Sequence, residues 1–161
     1  MWEEFIKMIF VTLGSQKFQF NRLLKAIDGL EVEEEIFAQI GYSDYIPVNY
    51  SYKTFLDRNE FNEIMDKASI EITHGGTGAI VGAIKKGKKV IAVPRLAKYG
   101  EHVDDHQLQI IHQFESQNLI CGLSDCGKLQ AGLEFARKHK FSEYHSNTNK
   151  IIDSIERYLI G

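Results

Sequence analysis

Short apolar runs alternate with segments of helical spacing along the whole chain, and this alternation is the strongest constraint on its fold. We predict strands at 8–13, 36–40, 69–73, 89–93 and 119–121, with two short extended pieces on either side of Pro47 in 45–55. Helical spacing covers 18–27, after an irregular start, and 59–68, 79–86, 103–115, 129–138 and 149–159. Strands that alternate with helices pair in parallel through right-handed crossovers. The sequence therefore predicts an α/β fold with a doubly wound parallel sheet.

The length of the chain bounds the number of domains. A typical domain has about 100–200 residues, and this chain has 161. Met8 opens the first strand, so we assign residues 8–161 to one domain and residues 1–7 to a candidate N-terminal extension. We expect any active site in a cleft between two domains to need a second domain from another chain.

Charge, cysteine content and hydropathy exclude several classes of protein. A net charge of −3 and a pI near 6.1 do not suit a domain that neutralises nucleic-acid phosphates, so we expect no nucleic-acid partner. Cys121 and Cys126 form neither a disulfide framework nor a C-x₂-C zinc half-site, and we predict small buried thiols. No apolar run approaches the ~18–20 residues of a transmembrane helix, so we expect a cytoplasmic protein.

The loops that follow strands carry the functional signal, because ligands of doubly wound sheets bind beyond the carboxyl ends of the strands. Three such loops stand out, at 14–16, 74–78 and 95–107. The second, His74-Gly75-Gly76-Thr77-Gly78, lies between a strand and a helix. Glycines let the backbone approach a ligand, and the first N–H groups of a helix attract phosphate. We predict that this loop binds a phosphate or a nucleotide. The alternative is a glycine turn with a purely structural role. It is not a Walker A loop, because no Gly-Lys-Ser/Thr follows.

His74 ends the strand that precedes this loop. A histidine at this point can hydrogen-bond a phosphate oxygen or polarise a leaving group. The alternative is a histidine held by structural hydrogen bonds, which is the usual role of an isolated buried imidazole.

The third loop contains a dense polar group, Glu101-His102-Val103-Asp104-Asp105-His106-Gln107. His102 and His106 stand four residues apart beside carboxylates, but no third ligand has a metal-site spacing, so we expect no metal. Asp104 or Asp105 is a candidate helix N-cap. Carboxylate and amide side chains also bind vicinal sugar hydroxyls, and Gln107 supplies both a donor and an acceptor.

Two of the predicted helices have distinctive surfaces. In the helix over 103–115, the predicted apolar face consists of Leu108, Ile111 and Phe114. The helix over 79–86 ends at Gly87, a candidate C′ residue, within the basic run Lys85, Lys86, Lys88 and Lys89. We interpret this run as a solvated helix end that the helix dipole favours, and contact with anionic lipid headgroups is the alternative.

Three motifs, taken in this order, resemble the C-terminal domain of glycosyltransferase family 28. They are Val11-Thr12-Leu13-Gly14-Ser15, then His74-Gly75-Gly76-Thr77-Gly78 with the later segment 87–95, and finally the segment 99–107. The resemblance covers most of residues 8–161 and is greatest to the PssE-type subunits of bacterial capsule and exopolysaccharide synthesis. It implies a Rossmann-like domain that forms the donor-binding half of a GT-B glycosyltransferase.

The resemblance also implies a set of site residues. Gly14 and Ser15 would lie beside the diphosphate of a UDP-sugar donor, and the loop from His74 to Gly78 would hold its phosphates. The nucleotide-binding set is Gly14, Ser15, His74, Gly75, Gly76, Thr77 and Gly78, and the sugar-binding set is Asp105, His106 and Gln107. His74 is the candidate catalytic residue, because it would orient or neutralise the leaving diphosphate. Many family members bind the ribose through a Glu at the position of Gly82, and this chain lacks that carboxylate.

The implied activity is inverting transfer of a hexose from UDP-galactose or UDP-glucose to a lipid-diphosphate-linked sugar. No Asp-x-Asp motif is present, so we expect neither a metal nor a cofactor, with the UDP-sugar as donor substrate. A membrane-anchored, PssD-like subunit would supply the acceptor-binding domain and recruit this chain to the inner face of the membrane. The helix over 149–159 would dock this partner or pack on its own domain.

Two other functions remain open at this point. In an NADP-dependent Rossmann oxidoreductase, Gly76, Gly78 and Gly82 would contact the pyrophosphate and Arg95 the 2′-phosphate. Alternatively, the chain is a non-catalytic accessory subunit that stabilises a membrane glycosyltransferase.

Overall fold

The computed structural model describes residues 7–145, which contain a six-stranded sheet. The strands are β1 (Met8–Thr12), β2 (Glu35–Gln39), β3 (Ser51–Lys53), β4 (Ala68–His74), β5 (Lys89–Val93) and β6 (Cys121–Gly122). They lie in the order β3-β2-β1-β4-β5-β6, and every neighbouring pair is parallel. The predicted α/β fold is confirmed, with the strand order of a doubly wound Rossmann sheet.

A helix follows each of these strands except β2, which a loop joins to β3. The helices are α1 (Asn21–Asp28), α2 (Arg58–Lys67), α3 (Thr77–Lys85), α4 (His106–Ser116) and α5 (Leu129–Lys138). α5 has the predicted bounds, and α2 and α3 begin and end within two residues of prediction. The helix predicted over 149–159 and most of the extension at 1–7 lie outside the described residues. None of the helices within 7–145 combines the length and hydropathy that a bilayer crossing requires.

Each face of the sheet has its own apolar core, because successive side chains of a strand point to opposite faces. In the first core, Ile9 and Val11 of β1 pack with α1 and α5. In the second core, on the other face, Phe10 of β1 packs with α2, α3 and α4. This double burial accounts for the nearly continuous apolar sequences of β1 and β5. Cys121 and Cys126 are buried, free thiols of the first core, as predicted.

The segment 45–55 differs from its prediction, because only Ser51–Lys53 joins the sheet. The preceding residues form a loop against α1. The Asp28 carboxylate, at the end of that helix, accepts from the Tyr45 hydroxyl at 2.6 Å and from the Asn49 N–H at 2.8 Å. Backbone groups held in this way are not available to a strand ladder, so the extended piece predicted before the proline is wrong.

The helix predicted over 103–115 begins later, at the first residue of α4. Side chains hold the residues before it in a loop. The Asp105 Oδ1 atom accepts from the Ala97 N–H at 2.9 Å, and the Asp104 Oδ1 atom accepts from the His106 N–H at 3.1 Å. Such local side-chain bonds compete with helical ones and delay the helix. Asp104 therefore supplies the capping-type bond, although Asp105 is the residue at the N-cap.

The buried face of α4 also differs from its prediction. Leu108, which we placed on that face, is 39% exposed, whereas Gln107 is 3% exposed. The buried residues of α4 are Gln107, Ile110, Ile111 and Phe114. Relative to the prediction, α4 is therefore rotated about its own axis, so that the Gln107 amide rather than the Leu108 side chain enters the interior near the end of the sheet.

The basic run after α3 stabilises helix ends. Lys89 Nζ donates to carbonyl oxygens at the end of α5, those of Ala136 at 2.8 Å, Arg137 at 2.9 Å and His139 at 3.1 Å. Lys86 Nζ lies 3.7 Å from an Asp66 carboxylate oxygen, and Lys88 Nζ donates to the Asp66 carbonyl at 3.2 Å. Gly87 follows the C-cap of α3 with a φ of +73°. These three lysines therefore contact the ends of α2 and α5, whereas the prediction placed the run as a solvated end of α3 itself.

A carboxyl group lies inside the second core. Glu71 of β4 is fully buried, and its neighbours in register are Phe10 of β1 and Val90 of β5. The Thr12 Oγ1 atom lies 2.6 Å from Glu71 Oε1 and 3.0 Å from Thr73 Oγ1. The Thr73 hydroxyl in turn donates to the Thr12 carbonyl oxygen at 3.0 Å.

The geometry of these hydroxyls, with the Thr73 hydrogen on the Thr12 carbonyl, favours a proton on Glu71. The Thr12 hydroxyl has one hydrogen and the Thr73 hydrogen is already engaged, so both Thr12 contacts are hydrogen bonds only if Glu71 donates one of them. Burial raises the pKa of Glu71 to about 8, against the opposing effect of the Thr12 hydroxyl. The side chain is therefore a neutral acid at neutral pH, which avoids the cost of a buried, unpaired charge.

Replacing Glu71 with Gln should remove a pH dependence of stability. The ordinary pKa of the carboxyl is 4.5, whereas the folded protein keeps its proton up to about pH 8. The contribution of Glu71 to the free energy of unfolding should therefore fall as the pH rises through this interval, by at most about 1.4 kcal/mol per pH unit, and this contribution should be absent in Glu71→Gln. Urea unfolding of both proteins in a series of buffers measures the difference. Parallel pH curves would mean that Glu71 is ionised in the folded protein.

Candidate functional site

The chain reverses its direction across the sheet between β1 and β4. From β1 it proceeds outward to β2 and β3, and it then returns to β4 on the other side and continues to β5 and β6. At such a switch point the loops that follow the two central strands diverge and leave a crevice, which is where doubly wound proteins bind ligands. The predicted loops at 14–16 and 74–78 are the two loops at this point.

His74 lies between the two glycine loops. It is the last residue of β4 and is 5% exposed. A Cβ atom at Gly14 would stand 2.6 Å from His74 Nε2, and one at Gly76 would stand 2.3 Å from His74 Cε1. Gly14 also has a φ of +75°, in the left-handed region that favours glycine. These two glycines are therefore required by the imidazole packed against them.

Gln107 joins the third loop to the other two. Its Oε1 atom accepts from the Gly75 N–H at 2.9 Å and from the Arg95 N–H at 3.0 Å. Its Nε2 atom lies 3.1 Å from His74 Nδ1. A Cβ atom at Gly75 would stand 2.6 Å from the Gln107 Cβ, so this glycine is required by the approach of α4. The amide predicted to contact a sugar is thus hydrogen-bonded within the protein.

His74 is uncharged at neutral pH. Burial lowers the pKa of His74 to about 3, and the nearby Arg95 guanidinium acts in the same direction. A neutral imidazole can donate or accept a hydrogen bond, but it cannot neutralise a diphosphate by charge. Of the two roles expected for His74, orientation of a phosphate fits the structure better than neutralisation.

Arg95 is buried beneath the loop that follows β1. It is 1% exposed, and its Nη1 atom donates to the carbonyl oxygens of Phe18 at 3.1 Å and Gln19 at 3.2 Å. Its Nη2 atom donates to the Leu13 carbonyl oxygen. Burial lowers the pKa of Arg95 to about 10, so it stays charged at neutral pH. A guanidinium bound in this way is not exposed to the 2′-phosphate of NADP, which removes the main residue expected for the oxidoreductase alternative.

A second buried charge fixes the loop that follows β5. Glu101 is 1% exposed, and its carboxylate accepts from Arg22 Nε and Nη2, each at 3.0 Å. The Glu101 Oε1 atom also accepts from the Leu96 N–H at 3.0 Å. This pair was not predicted, because its members are 79 residues apart and no local pattern links them. The only local signal was a charged residue inside a loop already singled out.

Asp105 and His106 directly precede Gln107 at the rim of the site. Asp105 is exposed, and His106 is half-buried. Asp104 bridges the two histidines, with oxygens 3.1 Å from His102 Nδ1 and 3.3 Å from His106 Nδ1. The backbone N–H of His106, together with the two imidazoles, lowers the pKa of Asp104. Within residues 7–145, no group of three or more His, Cys, Asp or Glu side chains could hold a metal ion.

The N-terminus of α3, beside the loop that follows β4, has no side-chain cap. Gly76 is its N-cap residue, and its first turn contains no acidic residue. The first N–H groups of a helix have no partner within the helix, and the dipole makes them attractive to anions. Gly78 is exposed, and a Cβ atom there would meet nothing within 4 Å. Gly78 thus adjoins open space that an anion could enter.

Comparison with known proteins shows the family to which the chain belongs. The glycosyltransferase family 28 C-terminal domain matches residues 8–157. The chain is 27% identical over 123 residues to the human (Homo sapiens) protein "UDP-N-acetylglucosamine transferase subunit ALG13". That alignment covers 70% of this chain, which spans only 10% of the length of the human protein.

Solved structures show the same fold. CalG4, the calicheamicin glycosyltransferase, superposes with a TM-score of 0.63 and 15% identity over 96% of this chain and 38% of its own. The NMR solution structure of ALG13 superposes with a TM-score of 0.64 and 17% identity over 91% of this chain and 94% of its own. The fold is therefore that of the C-terminal domain of GT-B glycosyltransferases. The chain belongs to the glycosyltransferase family 28 C-terminal domain family.

Alanine substitution should distinguish the glycines that pack against His74 from the one that faces open space. Gly76→Ala must displace the imidazole, since its Cβ would lie 2.3 Å from the ring. We expect it to lower the free energy of unfolding by about 1–3 kcal/mol. The matched control is Gly78→Ala in the first turn of α3, which should leave this energy unchanged or raise it by up to about 1 kcal/mol. Chemical denaturation measures both, and equal effects would contradict the position of His74.

Proposed function

We propose that this chain is the donor-binding subunit of a two-subunit, inverting glycosyltransferase of the PssE type. It would transfer a hexose from UDP-galactose or UDP-glucose to a lipid-diphosphate-linked sugar in exopolysaccharide or capsule synthesis. The observation that supports this proposal is the meeting of the β1 and β4 loops at the switch point, beside the uncapped N-terminus of α3. Membership of the family is consistent with it.

In this proposal the donor diphosphate lies between the loops that follow β1 and β4. Gln107 already engages the Gly75 N–H, so the phosphate oxygens would meet the N–H groups from Gly76 to Gly78. Gly14 and Ser15 would form the opposite wall. As the bond from the sugar to the diphosphate breaks, negative charge develops on the leaving UDP. Prearranged N–H donors and the α3 dipole would stabilise that charge without solvent reorganisation.

The sugar of the donor would lie at the rim formed by the start of α4. Asp105 is the exposed carboxylate there, and His106 follows it. These two side chains would contact the sugar hydroxyls, since carboxylates and imidazoles both hydrogen-bond hydroxyl groups. Gln107 is buried with its amide on backbone groups and His74, so its part in sugar binding is to hold this rim in place.

The proposal includes a partner chain, because GT-B enzymes transfer sugar in a cleft between two domains. Residues 8–157 match the C-terminal domain of the family, and the human relative is itself named a transferase subunit. A membrane-anchored, PssD-like protein would supply the acceptor-binding domain. It would also recruit this chain to the inner face of the membrane, where a lipid-linked acceptor is presented.

Binding of UDP to the isolated chain tests the donor site. On titration with UDP, amide resonances of residues 75–78 should shift in ¹H–¹⁵N NMR spectra, together with those of Gly14 and Ser15. NADP should stabilise the protein less than UDP does in a thermal-shift assay, because Arg95 is buried. Absence of any shift at millimolar UDP would contradict the proposal.

Sugar recognition can be separated from nucleotide binding. Asp105→Asn removes a charged acceptor at the rim, and we expect it to weaken binding of the matching UDP-hexose by about tenfold while changing UDP binding little. Isothermal titration with both ligands measures the two effects. Equal losses for UDP and UDP-hexose would remove Asp105 from the sugar site.

Reconstitution with the partner distinguishes catalysis from an accessory role. Gly78→Ala is expected to leave the fold intact, but its methyl group would occupy the open space beside the first N–H groups of α3. In a complex with the PssD-like partner it should retain assembly and lose at least about tenfold in transfer rate. An unchanged rate would contradict phosphate binding beside Gly78, and full activity of the partner alone would indicate an accessory subunit.

A further inference from the structure

We propose that Gln107 is a positioning residue for His74: its amide holds the imidazole in the tautomer that carries its hydrogen on Nε2, and directs that N–H toward the gap between Gly14 and Gly76. Gln107 was expected to bind a sugar, and the structure instead gives its amide three partners inside the protein. Their chemistry determines what His74 can do.

The orientation of the Gln107 amide follows from its partners on the backbone. Two backbone N–H groups, those of Gly75 and Arg95, point at the same end of the amide, at 2.9 and 3.0 Å. An NH₂ group cannot accept from either of them, whereas a carbonyl oxygen can accept from both. The oxygen must therefore face the two N–H groups, and the NH₂ end faces His74.

This orientation of the amide determines the tautomer of His74. The Gln107 NH₂ group lies 3.1 Å from His74 Nδ1, and a donor at that distance needs a lone pair on the ring nitrogen. Nδ1 is therefore unprotonated, and the hydrogen of the neutral ring is on Nε2. Burial, which lowers the pKa of His74, is consistent with a ring that has a single hydrogen at neutral pH.

The Nε2–H group of His74 lies beside both glycine loops. A Cβ atom would lie 2.6 Å from Nε2 if placed at Gly14 and 2.8 Å from it if placed at Gly76. The nitrogen thus lies at the point where the loops after β1 and β4 come together. Because both positions are glycines, the N–H group is not covered by side chains of these residues.

The consequence for chemistry rests on the proposed function. If the donor diphosphate occupies this gap, a neutral Nε2–H group donates a hydrogen bond to a phosphate oxygen, with no proton transferred. With the hydrogen on Nδ1, a lone pair would instead face that oxygen and repel it. Gln107 would thus act on phosphate binding through His74, without contact to the donor.

The tautomer is measured directly by long-range ¹H–¹⁵N spectra of the imidazole nitrogens in the ¹⁵N-labelled parent chain. We expect the His74 signals to have the pattern of a neutral ring protonated on Nε2, and to keep it while exposed histidines titrate. A pattern with the hydrogen on Nδ1, or a charged ring at neutral pH, would overturn the proposal. This measurement needs no variant and no ligand.

Gln107→Glu tests whether Gln107 sets the tautomer. One carboxylate oxygen can still accept from the two backbone N–H groups, but the other oxygen presents a lone pair to His74 Nδ1. When this carboxyl is ionised, the ring must carry a hydrogen on Nδ1, so we expect its NMR pattern to change to a charged or Nδ1–H form in buffers of high enough pH to ionise the carboxyl. The matched control is Gln113→Glu, the same change at an exposed position of α4, which should keep the parent pattern. An unchanged His74 pattern at a pH where the introduced carboxyl is ionised, as its own ¹³C shift reports, would overturn the proposal.

Ligand binding separates this inference from the proposed function. We expect UDP affinity to change by about tenfold or more in Gln107→Glu and to match that of the parent in Gln113→Glu. If the parent protein binds no UDP, the donor site is wrong, and the NMR pattern still decides the role of Gln107. If UDP binds the parent and both variants equally, Gln107 has no positioning role in phosphate binding.

Discussion

A buried guanidinium at the end of β5 shapes the whole carboxyl edge of the sheet. Arg95 needs acceptors because it carries its charge into the interior, and it finds them in backbone carbonyls of the loop after β1, such as those of Leu13 and Phe18. Carbonyls that point to Arg95 cannot begin a helix, so α1 starts only at Asn21. Arg95 thereby ties the loop after β5 to the loop after β1.

Two buried titratable groups beside this site are both neutral, and they oppose each other in their effect on stability. His74 has an ordinary pKa of 6.5 and a folded pKa of about 3, so stability falls as the pH falls through that interval, where only the unfolded chain takes up the proton. The contribution of Glu71 to stability falls as the pH rises from 4.5, its ordinary pKa, to about 8, its pKa in the folded protein. Considered alone, these two groups make the folded state most stable in mildly acidic solution.

Sequence periodicity predicted the elements whose environment is uniform. β1 and β5 are buried on both faces, and their apolar runs gave bounds within one residue of the structure. The prediction was wrong where polar side chains compete with a regular ladder, as at the start of α4, which Asp104 delays, and in the loop held by Asp28. The buried face of α4 was also predicted wrongly, with Leu108 in place of Gln107, because hydrophobicity alone does not indicate which amide will find hydrogen-bond partners in the interior.

The sequence by itself determined the fold class and the loops that form the candidate site, because apolar periodicity and glycine placement act over a few neighbouring residues. Only the tertiary structure decided what the polar residues in those loops do. Gln107 meets the Gly75 N–H across 32 residues of chain, and Arg95 meets the Leu13 carbonyl across 82. A buried polar group must be matched by whichever group folding brings beside it, and no local pattern encodes that partner.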